Sequence, residues 1–525
     1  MSGINGIQDY YNALSLLAPE FFIVIGILFA AVFNLFAPKA RGFTPLFSLS
    51  MLLAAGFQLV AGMAKTTKLF GGVFTIDPLY STISLISIAV GILVILLSMG
   101  YDQFFGKNRG EFYAILLTAV LANLFLAGST DLIMLFVSLE TLSICCVLLT
   151  GFNKRDLKSG EASLKYLLST AATTATLLYA LSFLYGLSGA TSFDLIRDTL
   201  SSSASGGATF FQYLVMALVL SAIGFKLSTV PFHMWTPAVY EGAPTPVTAF
   251  LSIGSKAGGF VVAIRLLLTV FPQAQMQWAP MLCALAILSM IGGNLIALAQ
   301  SSVKRMLAYS SIAHVGYILI GLIAATESGL SAMVFYIAAY GLMNLGAFAG
   351  AILFSNETGS DRIEDYAGLI RKRPLIAIGM ALCLLNLAGL PIPPAGFFAK
   401  VFIFAAGSQI TMSFLGLPMG ALLVIVALVT SVPAIYYYTR LVILMIVPEP
   451  SEKVAALTAA NQPRPYVGSP QEPPAIALLV CAVLVALAGT FSVNSLMGIS
   501  KFAVAGLAIR DTGTPIGYAP GSGTH

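Results

Sequence analysis

Charge is what this 525-residue sequence has least of: Asp, Glu, Lys and Arg make up 9% of it, against 58% for apolar residues. A soluble domain carries roughly 25% charged residues, so a water-facing globule is excluded. Cysteine is scarce as well. Its five copies, at 145, 146, 283, 383 and 481, lie in apolar segments with no metal-ligand spacing, and adjacent Cys145 and Cys146 read as small packing residues. With three histidines, none paired at haem spacing, no cysteine cluster for iron and sulfur and no Gly-rich phosphate loop, the chain has nowhere to hold an electron carrier. Its first residues, "MSGINGIQDYYNALSLLAPEFF", lack a basic region ahead of the first apolar run, which argues against a cleaved secretory signal.

What the sequence does have is long apolar runs. A bilayer crossing takes about 20 such residues, and in hydrocarbon every backbone group must be bonded inside a helix or a closed barrel. Barrel strands would alternate over about 10 residues; these runs do not. The expected fold is an all-α integral membrane protein with about fourteen transmembrane segments. They fall near 17–36, 43–63, 79–99, 112–128, 131–151, 162–185, 209–240, 246–271, 278–300, 306–325, 329–354, 374–412, 416–446 and 474–496. The seventh and twelfth are too long for one crossing and carry Pro231 and the Pro391, Pro393 and Pro394 group. Proline removes a helix donor and clashes with the preceding turn, so both read as discontinuous helices. The stretch "GGVFTIDPLY" (71–80) reads as a turn or hairpin outside the membrane.

Loop charges give the orientation. Sixteen Lys and Arg follow odd-numbered segments, among them those of "NKRDLKSGE" and "RKRP"; five lie in the termini and even-numbered loops. The excess of positive charge marks the cytoplasmic side, so both termini are expected on the opposite face and nucleic acid is not an expected partner. The two broken segments lie five apart, an odd offset that reverses the direction of crossing. That is the pattern of inverted repeats, expected over segments 4–8 and 9–13. The chain then divides into residues 1–110 (segments one to three), 111–271 and 278–446 (the repeats), and 447–525 (a loop, the last helix and a tail). Glu140 precedes Lys226 by 86 residues, as His314 precedes Lys400.

Few ionisable residues fall inside the predicted segments: Glu140, Lys226, His233, Lys256, Arg265, His314, Lys400 and Arg440, with Lys165 near a segment start. A charge at the bilayer centre costs at least ~2.5–3.5 kcal/mol. Arg265 and Arg440 fit snorkelling or ion pairing, and Lys165 an interfacial position. Glu140, Lys226, Lys256 and Lys400 sit deep, three of them beside a break or a Gly-rich turn. The chemistry open to them is proton transfer. A lysine in water holds its proton to about pH 10.4; burial opposes the charged form while a carboxylate about 7 Å away supports it. Glu140 with Lys226 is thus a candidate proton switch, Lys256 and Lys400 further stations and His314 an intermediate. His233, just past Pro231, fits either a relay position or a cap on the break.

The stretches "FVSLETLSICCVLLTGFNKRDLKSGEASLKYLL" (136–168), "KLSTVPFHMWTPAVYEGAPTPVTAFLSIGSKAGG" (226–259), "SSVKRMLAYSSIAHVGY" (301–317) and "LAGLPIPPAGFFAK" (387–400) resemble the antiporter-like subunits of respiratory complex I. The likeness covers about residues 110–445. Within the family it is nearest the branch called N, or 2 in plastid-type complexes: "LSIGSKAGG" stands where other branches and the Mrp-type antiporters have a His-containing stretch. The break "AGLPIPPAGFFAK" is one residue longer than the family's usual form. By this resemblance Glu140 and Lys226 match the helix-five Glu and helix-seven Lys, Lys256 the central helix-eight lysine, and Lys400 the helix-twelve residue on the exit side. It implies a proton-translocating subunit beside other antiporter-like and membrane-arm subunits, with FMN, iron–sulfur clusters and quinone on those partners and no cofactor or metal in this chain. The expected location is a bacterial inner membrane, with a thylakoid-type membrane as the alternative. The competing readings are a stand-alone or Mrp-type cation/proton antiporter and a purely structural membrane anchor. The anchor leaves four deep ionisable residues without a purpose.

Overall fold

The computed structural model describes residues 14–36, 42–63, 66–101, 108–202, 209–391, 394–457, 471–490, 493–505 and 507. The apolar runs become helices: α1 (Ala18–Phe36), α2 (Phe43–Gly62), α3 (Pro78–Met99), α4 (Arg109–Gly128), α5 (Leu132–Thr150), α6 (Leu157–Ser188), a surface helix α7 (Phe193–Ser202), α8 (Thr209–Leu227), α9 (Trp235–Gly242), α10 (Thr245–Ile264), α11 (Gln275–Leu298), α12 (Val303–Ala324), α13 (Glu327–Thr358), α14 (Pro374–Ala388), α15 (Ala395–Ser408), α16 (Met419–Ile446), α17 (Glu472–Thr490) and α18 (Val493–Val504). Among the described residues eleven are long and apolar enough to cross a membrane.

Short polar residues place the helix ends. Asp77, Asp131, Asp156 and Thr326 stand just ahead of α3, α5, α6 and α13, and each accepts a hydrogen bond from a first-turn backbone N–H. Such caps stabilise a helix by about 1 kcal/mol each. The seventh predicted segment resolves into α8 and α9, the twelfth into α14 and α15, as the prolines require. Pro393 and the positive residues Lys39, Arg41, Lys65, Lys107, Arg464 and Arg510 lie outside the described residues. The fourteenth segment, expected over 474–496, is described as helix over Glu472–Thr490 and Val493–Val504, with residues 491–492 between them outside the described residues.

Enclosure is uneven. The apolar windows of α10, α12 and α13 are 100%, 94% and 89% buried, while those of α2, α6 and α16 are 28–33% buried. The first three form the centre and the others the rim. The centre also carries Lys256 and His314.

The predicted hairpin is present, shifted toward the N-terminus. Strand β1 (Thr67–Leu69) pairs antiparallel with β2 (Phe74–Ile76), and α3 begins immediately after. Lys68 Nζ donates to Asp194 at 2.8 Å, tying the hairpin to α7. That bond, with Arg197 alongside, holds the Asp194 carboxyl below its ordinary value of 3.8. A carboxyl with a depressed folded value contributes above its unfolded value and loses the contribution as pH falls through the folded one. Both groups are exposed, so the contact is worth no more than about 1 kcal/mol. Hydrogen-exchange protection at Thr67–Ile76, taken relative to the intrinsic exchange rate at each pH, is expected to be unchanged by acidification until pH falls below 3.8, then to fall. Loss of protection already at about pH 5 would contradict the pairing.

Candidate functional site

The two helix breaks are built alike. After α8, Ser228 takes a left-handed φ of +66°, Ser228 N–H donates to Phe225 O (3.0 Å) and Thr229 N–H to Gly224 O (2.8 Å). After α14, Gly389 takes φ +85°, Gly389 N–H donates to Asn386 O (2.9 Å) and Leu390 N–H to Leu385 O (3.1 Å). Both patterns are Schellman closures, which satisfy the last carbonyls around one left-handed residue. Serine at such a position is strained, and strain of this kind gathers at functional sites. The Trp235 indole N–H also donates to Phe225 O at 3.2 Å, across the first break.

Each break carries a lysine. Lys226 lies in the last turn of α8, two residues before Ser228. Lys400 lies on α15, eleven residues after Gly389, and reaches back so that Nζ donates to Ala388 O at 2.7 Å. The two lysines therefore do not occupy equivalent positions relative to the closures, and the shared 86-residue spacing is not a structural register. What they share is electrostatic. Lys226 belongs to the last turn of α8, and the Lys400 ammonium sits on the last carbonyl of α14, so each is tied to the carbonyl end of a half-helix, where the peptide dipoles favour positive charge. Gly389 makes room for this: a Cβ there would meet Lys400 Cδ at 2.8 Å and Nζ at 2.9 Å.

Lys226 is buried, its Nζ donating to Ser143 Oγ at 3.0 Å. A Cβ on Gly259 of α10 would meet its Cγ at 3.2 Å, so the stem runs beside the helix that carries Lys256. Glu140 is one turn from Ser143 on α5, half-buried, and accepts from Thr174 Oγ1 at 2.5 Å. The carboxylate and Lys226 are not in an ion pair. A cavity of about 20 Å³ lies between them, lined also by Thr170, Thr173 and Phe225. About 10–15 Å³ is enough for one water.

Lys256 is 1% exposed; its Nζ donates to Ser311 Oγ (2.9 Å) and Ser311 O (3.2 Å) on α12. His314, one turn along α12, has a tyrosine hydroxyl at each ring nitrogen: Tyr336 at Nδ1 (2.9 Å) and Tyr438 at Nε2 (3.4 Å). Tyr438 also hydrogen-bonds Ser310. Tyr317, one turn further, lies under Lys400 Nζ at 5.4 Å from the ring centroid, and its hydroxyl meets Asn294 and Thr430.

Lys226, Lys256 and Lys400 thus rest on neutral oxygens, with no carboxylate within ion-pairing reach among the described residues. The other intramembrane cations differ. Arg265, at the end of α10, makes a buried bidentate pair with Asp77 (2.7 and 2.9 Å) and donates to Ala127 O. Lys165 pairs with Glu161 at the surface, and Arg440 is exposed. His233 is half-buried and stands apart from the lysines, on the wall of an open cleft of about 440 Å³ with Lys158, Glu161, Lys165, Glu241 and Arg305.

The sequence reading missed the hydroxyl partners, Ser143, Thr174, Ser311, Tyr336 and Tyr438. The signal available was their spacing: Ser310, Ser311, His314 and Tyr317 fall on one face of α12. It also passed over Glu20 and Asp77, both buried.

Residues 129–431 match the model of a family described as NADH:quinone oxidoreductase/Mrp antiporter, transmembrane. The chain is 43% identical over 508 residues to NAD(P)H-quinone oxidoreductase subunit 2 of Trichodesmium erythraeum (strain IMS101), covering 96% of this chain and 94% of the relative. A chain of respiratory complex I from Thermus thermophilus superposes with a TM-score of 0.71 at 29% identity, over 92% of this chain and 99% of that one. A chain of the Mrp complex from Dietzia sp. DQ12-45-1b shares the fold, with a TM-score of 0.77 at 19% identity over 94% and 97%. On a family match through the helical core and relatives alike along nearly their whole length, the chain belongs to the NADH:quinone oxidoreductase/Mrp antiporter family.

Proposed function

We propose that this chain is a proton-translocating membrane-arm subunit of an NAD(P)H-quinone oxidoreductase, driven by quinone reduction on partner subunits. The observation that carries the reading is the set of three buried lysines on neutral oxygens, in a chain 43% identical to an NAD(P)H-quinone oxidoreductase subunit 2. An amine hydrogen-bonded to a hydroxyl or carbonyl oxygen can lose its proton without breaking an ion pair, which a paired residue such as Arg265 cannot. Glu140 and Lys226 form the switch, with room for one water between them. Lys256 passes its proton toward His314 by way of the Ser311 hydroxyl. His314, flanked by Tyr336 and Tyr438, is the intermediate on the way to Lys400. His233 serves on the wall of the charged cleft, where protons are collected. FMN, iron–sulfur clusters and quinone belong to partner subunits, and the chain does not catalyse redox chemistry alone. It sits in a bacterial inner or thylakoid-type membrane with both termini away from the cytoplasm.

Purification of the tagged chain in mild detergent tests this. Flavin absorbance, iron–sulfur EPR signals and quinone reductase activity are expected to co-purify. Isolation without them, with cation-driven proton exchange in vesicles, would replace the reading by the antiporter one. Lys256→Met is expected to depress proton pumping while the complex still assembles; pumping at the native rate would remove Lys256 from the path. Lys372→Ala, a change in the loop ahead of α14, is expected to leave pumping within about twofold of native, as surface substitutions usually stay within ~0.5 kcal/mol. A large pumping defect there would contradict its assignment as a loop charge.

A further inference from the structure

Glu20 has no part in the relay, lies outside the stretch matched by the family model, and is 3% exposed in the first turn of α1. One carboxyl oxygen accepts a hydrogen bond from the Tyr80 hydroxyl on α3. The other, Oε2, is enclosed and meets no donor in the protein. A buried acceptor without a partner costs about 1–3 kcal/mol, and more when it is charged. A side chain needed only to hold Tyr80 would do so as an amide; an acid with one oxygen open is suited to receive something.

The surroundings narrow what that is. Helix α2 carries no ionisable residue. Those of α4 are Arg109, Glu111 and Tyr113, in its first two turns. Gly26, six residues in from Glu20, already packs against Leu117, so these three lie near the opposite end of α1. On α3 the facing groups are Tyr80 itself and Asp77, whose carboxylate is taken up by Arg265. Among the described residues no cation lies within ion-pairing distance of Glu20. The surroundings do not provide the ring of oxygens that a metal cation needs, which leaves the proton.

We propose that Glu20 and Tyr80 form a second proton-binding site, in the three N-terminal helices, that is loaded and emptied during turnover. A lone pair of Oε2 takes a proton from hydronium, one O–H bond of the hydronium breaking as the carboxyl O–H forms and leaving water, and the reverse step returns it; no electrons leave or enter the site. The first turn of α1 lies about 9 Å along the helix from exposed Leu14, at the end of the bundle placed away from the cytoplasm. This site rests on the proton-translocating reading above and adds to it a group outside the lysine set.

Infrared difference spectroscopy on the intact purified complex, at rest and in turnover, reads the site directly. A carboxylic C=O band that changes with turnover and shifts in D2O is expected in the native complex and lost in Glu20→Gln. Tyr80→Phe, which keeps the acid and removes its donor, is expected to move the band to higher frequency and lower the protons moved per electron. Identical difference spectra in the native complex and Glu20→Gln would overturn the proposal. If Glu20→Gln fails to assemble, the Tyr80→Phe spectrum decides: an unmoved band overturns it. Absence of pumping by the native complex would instead strike the functional reading, so the two failures are distinct.

Discussion

Replacing Lys226 by alanine is expected to cut coupled proton translocation roughly 100-fold while the assembled complex persists. The magnitude follows from what the amine does. Without it, a proton must cross the same point in water or on the backbone, and placing an unassisted charge in the membrane core costs at least ~2.5–3.5 kcal/mol. At 1.36 kcal/mol per tenfold, that is about two orders of magnitude in rate. Assembly should survive because Lys226 makes one hydrogen bond, to Ser143, and no ion pair. Proton uptake into vesicles, normalised to the amount of complex, measures the effect. Glu140→Ala is expected to act in the same direction, and Ser143→Ala more weakly. Native pumping in Lys226→Ala at native complex levels would refute the relay.

Arg265→Ala is expected to act on stability instead, by about 3–5 kcal/mol, the cost of leaving one member of a buried pair unpaired. Asp77 would remain in the core with nothing opposite it, and Ala127 O would lose its donor. Because domains are stable by only ~5–15 kcal/mol, little assembled complex should accumulate. The test is a double substitution. Asp77→Asn with Arg265→Met removes both charges, and the amide can still accept from Tyr80 N–H at the start of α3. Such neutral replacements of a buried pair cost far less than breaking one, so complex levels and thermal resistance should largely return. Normal stability in Arg265→Ala alone would show the pair to be idle.

The two arginines illustrate how far the sequence could be read. Arg265 and Arg440 look the same as single charges in apolar runs, yet one closes on Asp77, 188 residues away, and the other faces outward. Hydropathy locates helices because each run must satisfy its own backbone, a local requirement. It says nothing of which helix faces which, so the partner of Arg265 was hidden in a loop. The helix breaks were legible because proline acts on its own turn. Glu140, Lys226, Lys256, His314 and Lys400 stood out as ionisable groups in lipid. Their serine, threonine and tyrosine partners did not, since a hydroxyl on a transmembrane helix is common and gains meaning only from what stands across from it. The 86-residue coincidence shows the opposite error: a regularity in numbering that the two Schellman closures do not share.

The seat of Lys400 on Gly389 links two positions that a geneticist would score separately. Any side chain at 389 occupies the volume of the lysine stem, so variants there should copy the phenotype of losing the lysine. Once Lys400 is shortened, substitutions at 389 should do little further harm beyond their backbone cost. In a saturation screen the pair should therefore behave as a single locus, with strong negative effects that fail to add.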